Sequence, residues 1–210
     1  ASHTYTFAHN VNATTITLGT NDAQSSNTTL AISAAITVTG DIVSSGNASI
    51  AGILDINENT IFVDNIGTSS AAIERITVIT GKTATFKDSI YAGNITLETA
   101  GTASTSAAFA FNGTANTAYT VTGKIDGQEF GHGSITVNTG NVTFSSAIGS
   151  NMDLNTVTVA DDAEMAISNN ISANGTISVV GTLDVNAAVT LHTGGINIGE
   201  NAETGSTLET

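Results

Sequence analysis

A chain of 210 residues is long enough to bury a substantial core in one domain. With Lys and Arg at 4 against Asp and Glu at 18, its net charge of -14 repels phosphate backbones and anionic lipid heads, which argues against nucleic-acid binding. Cys is absent, which removes disulfides and thiolate metal sites.

Hydrophobic residues make up 40 % and aromatics only 5 %, so the core is expected to consist of Val, Ile, Leu and Ala rather than a few large rings. Charged residues are 10 %, and the polar surface falls to Thr, Ser and Asn. Average usage would place roughly ten prolines in this length, yet there are none, while 21 Gly stand at turn-like places. Without helix-period patterns, this composition favours long stacks of strands. The opening ASHTYTF has neither a basic n-region nor an apolar h-region, and no apolar run reaches transmembrane length. Membrane insertion by this segment is not expected, and any export signal would lie outside it.

Taken in chain order, a β-triplet with apolar ends recurs throughout. It begins with Ile16-Thr17-Leu18, Ile36-Thr37-Val38, Leu54-Asp55-Ile56, Ile76-Thr77-Val78 and Ile95-Thr96-Leu97. It continues with Tyr119-Thr120-Val121, Ile135-Thr136-Val137, Val157-Thr158-Val159, Ile177-Ser178-Val179 and Ile196-Asn197-Ile198. From 16 to 196 there are nine steps averaging 20 residues. Apolar residues follow at Phe86, Phe144, Ile167 and Val185, and again four positions on at Ile90, Ile148, Ile171 and Val189. Residues 75 to 90, RITVITGKTATFKDSI, and 134 to 148, SITVNTGNVTFSSAI, carry the whole pattern.

One repeat is therefore a strand, a Gly/Asn/Asp turn, a second short strand and a third inward contact. Alternate side chains of a strand face opposite ways, so the ends of each triplet should point inward and its centre outward. The fold expected is all-β, a parallel β-solenoid with rungs of about 20 residues. It is read as one domain over 1-210 with about ten rungs, a rod on the order of 45 Å long at a rung spacing near 4.8 Å. The two matching stretches are expected to occupy equivalent rungs in one column. Around 98-134 the period stumbles and an irregular excursion is expected. An antiparallel sandwich is the competing architecture, but it gives no reason for successive repeats to resemble each other.

The Gly/Asn/Thr-rich rungs, as in TISVVGTLDVNAAVTLHTGGINIGENAETG from 176 to 205, resemble passenger regions of bacterial autotransporters, and in particular the large rickettsial surface antigens of the outer-membrane protein A and B type. The resemblance implies an extracellular β-helical stalk, exported through an outer-membrane barrel, that acts in adhesion or a surface coat.

The densest chemical cluster is TGKIDGQEFGHG, residues 122 to 133, which sets Lys124, Asp126, Glu129 and His132 between glycines. Glycine permits sharp turns that expose their neighbours, so these four are the candidate ligand-binding residues. A solvated hairpin tip is the plainer expectation. No catalytic residue is assigned, because the only adjacent acidic pair, Asp161-Asp162, would face opposite sides of a strand. His3, His9, His132 and His192 lack paired metal spacing, so no metal ligand is assigned and the four are expected at the surface. Turns 55 to 59, 151 to 155 and 161 to 164 offer oxygens to calcium without matching a calcium-loop pattern. No cofactor is expected, with calcium kept as the alternative. The triplet-centre threonines Thr17, Thr37, Thr77, Thr96, Thr120, Thr136 and Thr158 would form one outward column, a surface of the kind ice-binding β-helices use.

These readings lead to a non-enzymatic, extracellular structural or adhesive solenoid of a bacterial surface assembly. A self-assembling filament or surface-layer subunit is the alternative, and a carbohydrate-active or ice-binding β-helix is the alternative of another class. The partners expected are a host or matrix receptor, and either a second copy stacked end to end or further rungs of a longer chain. Apolar columns ending near Phe7 and Leu208 would lie open at the two ends.

Overall fold

The computed structural model describes residues 3–19, 28–45, 52–98, 106–185, 189–198 and 207–209. These residues form eighteen strands and no helix, wound into a parallel β-solenoid. Every strand pairs with the strand one turn before or after it, and all the strand pairings are parallel.

The rung has three faces, here called A, B and C in the order the chain visits them. On face A the register runs Tyr5, Leu30, Leu54, Ile76, Ile95, Ile125, Ile148, Ile171, Leu191. Face B aligns Val11, Val38, Phe62, Phe86, Phe111, Val137, Val159, Val179 and Ile198. Face C aligns Ile16, Ile42, Ile66, Ile90, Val121, Phe144, Ile167 and Val185. The three columns converge on one core. Leu54, Ile76, Ile95 and Ile125 are each 0 % exposed, and burying such a side chain contributes about 1.5–3 kcal/mol.

The rung is longer than the triplet spacing predicts. Face A takes eight steps over the 186 residues from Tyr5 to Leu191, about 23 per rung, and steps of 24 separate Ile42, Ile66 and Ile90. There are accordingly fewer rungs than ten. The triplets mark three different faces: those at 16 and 119 lie on face C, those at 54, 76 and 95 on face A, and those at 36, 135, 157, 177 and 196 on face B. An apparent period of 20 arose because the marker slipped from one face to another along the chain. The matching stretches are thus not in one column. Residues 76–78, 84–86 and 90 occupy faces A, B and C, whereas 135–137, 142–144 and 148 occupy B, C and A.

The inward and outward assignment holds for most of the triplets, but Thr77 at a triplet centre is buried at 7 % exposed, and Ile196 at a triplet end is 43 % exposed. Ile135 and Val137 are fully buried while Thr136 is partly exposed, and Phe86, Phe144, Ile167, Val185, Ile90, Ile148 and Ile171 all lie in the core. The core is not purely aliphatic, however. Five of the seven phenylalanines are buried. Phe62, Phe86 and Phe109 stack across successive rungs at 5.3 and 4.8 Å between ring centroids, and Phe144 meets Phe109 edge-on at 6.1 Å. The stack changes register position as it rises, since Phe86 aligns with Phe111 along the backbone but its ring meets that of Phe109.

Several strands continue round a corner, among them Ile36–Ser44 and Ala118–Gly127. Gly40 and Gly123 make those bends at φ 117° and 98°. A Cβ on either would strike the carbonyl of the preceding rung, at Ala13 and Ala92 respectively. Where the ladder opens at corners, Asn and Asp side chains replace the missing acceptors. Asn10, Asn59 and Asn170 accept from the backbone N–H of Thr37, Thr83 and Thr190 at 2.9, 2.8 and 2.9 Å, and Asp64 accepts from Gly40 at 2.7 Å. This use of Asn explains part of its abundance.

Within 98–134, Ala108–Asn112 and Ala118–Gly127 are strands in register with their neighbours. Residues 113–117 turn between them, with Asn116 at φ 57°; residues 99–105 lie outside the described set. At the first rung the columns are uncovered: Tyr5 is 59 % exposed where Leu30 above it is 1 %. At the other end Leu208 pairs with Leu183 through its backbone, and its side chain lies outside the described set.

Candidate functional site

Lys124 and Asp126 flank the fully buried Ile125 on the strand Ala118–Gly127, so alternation turns both outward on face A. They belong to a strand rather than to a hairpin tip, and only residues 128–133 form the turn that follows. Asp126 accepts from the backbone N–H and the side-chain amide of Asn151 on the next rung, at 2.9 and 2.8 Å. Glu129 is exposed in the turn, where its carbonyl accepts from the His132 N–H at 3.3 Å. The His132 ring is held by Ser106, with Nδ1 3.0 Å from Oγ. Phe130, between them, is 59 % exposed. The four candidates therefore do not converge: Asp126 and His132 are engaged in cross-rung bonds, and Glu129 stands apart in the turn.

Lys124 instead lines an open groove of about 540 Å³ along the outer side of face A, together with Ser146, Asp153, Asn170, Ser172 and His192. At its base Ser172 donates from Oγ to Asp153 Oδ1 at 2.7 Å, and His192 Nδ1 lies 2.9 Å from the same Oγ. His192 Nδ1 is also 3.6 Å from Asp153 Oδ2. The Asp153 side chain is 14 % exposed and that of His192 73 %. Oδ2 is buried and has no hydrogen-bond partner among the described residues.

The order of donors limits the chemistry. Ser172 has one hydroxyl proton, directed to the carboxylate, so the imidazole donates to it from Nδ1–H. An activated nucleophile needs the reverse, a base that takes the hydroxyl proton. This arrangement suits binding and the joining of rungs.

The sequence reading did not single out Asp153, Ser172 and His192 as a group. They follow one another at separations of 19 and 20 residues, close to the repeat length inferred from the triplets, and polar residues recurring one rung apart were the signal that would have found them.

The other expected features resolve as follows. Asp161 and Asp162 are both exposed in a corner turn rather than in a strand. Of the turns that offer oxygens to calcium, 55–59 has its acidic groups engaged: Glu58 meets Lys82 at 2.7 Å, and Asp55 lies 4.0 Å from Arg75. The threonines expected in one column are divided, with Thr37, Thr136 and Thr158 on face B, Thr77 and Thr96 on face A, and Thr17 and Thr120 on face C. The regular array required for an ice-facing surface is therefore not formed by them. In comparisons with known proteins, no family model matches the chain, and neither does any curated protein or solved structure.

Proposed function

We propose that this chain is a non-enzymatic structural or adhesive rod of an extracellular bacterial surface assembly, of the autotransporter-passenger kind its rungs resemble. The observation that carries the reading is the unbroken three-column core from Leu30 to Ile171, clothed on the outside by short Thr, Ser and Asn side chains. A core that repeats rung by rung builds length and stiffness without requiring an enclosed site. The net charge of -14 keeps such rods apart in solution. Surface staining tests the proposal. An antiserum raised against the rod is expected to label intact bacteria as strongly as permeabilised ones, and the purified chain to bind host cells or matrix saturably. Labelling only after permeabilisation, or cleavage of acidic polysaccharides by the purified chain, overturns it.

A second reading, end-to-end assembly, is favoured by the first rung. Tyr5 is 59 % exposed, and Val11 and Ile16 are only partly buried where their equivalents one turn on are 1 % exposed. Among the described residues, His3–Phe7 pairs on one side only, with Thr28–Ile32. Further rungs from the same polypeptide or a second copy would both cover this surface. Negative-stain images separate them, since long unbranched fibres of the purified chain support self-assembly and uniform short rods refute it.

A further inference from the structure

We infer that Asp153 and His192 form a binding site for a divalent transition metal of the zinc type, coordinated through Asp153 Oδ2 and His192 Nδ1 and joining separate rungs of face A. Asp153 Oδ2 is a buried carboxylate oxygen with no hydrogen-bond partner among the described residues, an uncommon and costly state for such an atom. His192 Nδ1 stands 3.6 Å from it. Zinc bonds of about 2.0–2.2 Å at a tetrahedral angle separate two ligand atoms by about 3.4 Å, so the gap closes with a movement of a few tenths of an ångström. His192 is mostly exposed, which leaves its ring free to make that adjustment.

Ser172 supports the carboxylate from behind. Its hydroxyl donates to Oδ1 at 2.7 Å and leaves Oδ2 toward the imidazole, the role outer hydrogen bonds play at metal sites. On binding, the imidazole lone pair at Nδ1 turns to the metal and its proton relocates to Nε2, so the ring remains neutral and gives up its bond to Ser172. Water from the open groove completes the coordination. One nitrogen and one carboxylate oxygen suit zinc, copper or nickel, whereas calcium wants six or more oxygens. Among the described residues no three His, Cys, Asp or Glu side chains converge, and Lys124 lines the same groove. Binding is therefore expected to be weak and exchangeable, and removal of the Lys124 charge to strengthen it.

Titration of the full chain with Zn²⁺ by calorimetry tests the site. One equivalent is expected to bind, at least tenfold more weakly in His192→Ala and in Asp153→Asn, unchanged in His132→Ala, and more tightly in Lys124→Ala. At about a hundredfold excess over Kd, Zn²⁺ should raise the wild-type Tm by about 5–10 °C, and by no more than about half of that in His192→Ala. The exposed His192 keeps the test open if Asp153→Asn fails to fold. No saturable binding, binding untouched by His192→Ala, or equal binding of Ca²⁺ overturns the inference.

Discussion

Residues 75–90 and 134–148 carry nearly the same pattern, yet each occupies the faces of the rod in a different order. In the first, Ile76 is on face A, Phe86 on B and Ile90 on C; in the second, Ile135 is on B, Phe144 on C and Ile148 on A. The same pattern therefore encodes strand, corner, strand and inward contact wherever it falls on the cross-section. In a three-faced solenoid every face asks the same thing of its strand: two inward apolar residues with a small polar residue between them. What distinguishes the faces is their surroundings, and those are what mutations can measure.

The largest effect should be common to both stretches. Ile76 and Ile135 are each 0 % exposed, so Ile76→Asp and Ile135→Asp should each cost more than about 4 kcal/mol by burying an unpaired carboxylate. The residues at the centres should part company. Thr77 is only 7 % exposed and accepts from Arg75 Nε at 3.2 Å, whereas Thr136 is partly exposed. Denaturant unfolding of Thr77→Asp and Thr136→Asp should show the larger loss at Thr77. Equal losses at all four positions would break the assigned register.

Next come the rings. Phe86 is stacked between Phe62 and Phe109, while Phe144 makes a single edge contact with Phe109. Both changes to Ala should cost about 3–5 kcal/mol. Phe86→Ala should exceed Phe144→Ala by about 0.5–1.5 kcal/mol, the contribution of an added aromatic pair. A larger loss at Phe144 would mean that the ladder adds nothing beyond buried area.

The smallest effect concerns the turn glycines that occupy matching places, Gly81 at φ 70° and Gly140 at φ 92°. Ala at either must adopt a left-handed backbone, at about 1–2 kcal/mol. Gly81 is exposed, but a Cβ on the buried Gly140 would approach the Tyr119 ring to 3.2 Å. Thermal melting should therefore place Gly140→Ala below Gly81→Ala.

Much of this architecture was legible in the amino-acid sequence alone. The absence of Pro, the β-branched residues and the recurring triplets determine a stack of strands, and the twofold alternation within a strand determines which side of Ile135, Thr136 and Val137 is wet, because that alternation is local. The face on which each strand lies was decided only by the tertiary structure, since faces A, B and C place nearly identical demands on their residues and corner lengths vary. The rung length followed from the same ambiguity, as did the phenylalanine ladder, because 62, 86 and 109 meet only once the true rung is known. The candidate site divided likewise. Lys124 and Asp126 were legible as polar residues between glycines, but the partners beside them are chosen by the rung above. Asp153, Ser172 and His192 become neighbours only because three successive turns of the chain bring them to the same side of the rod.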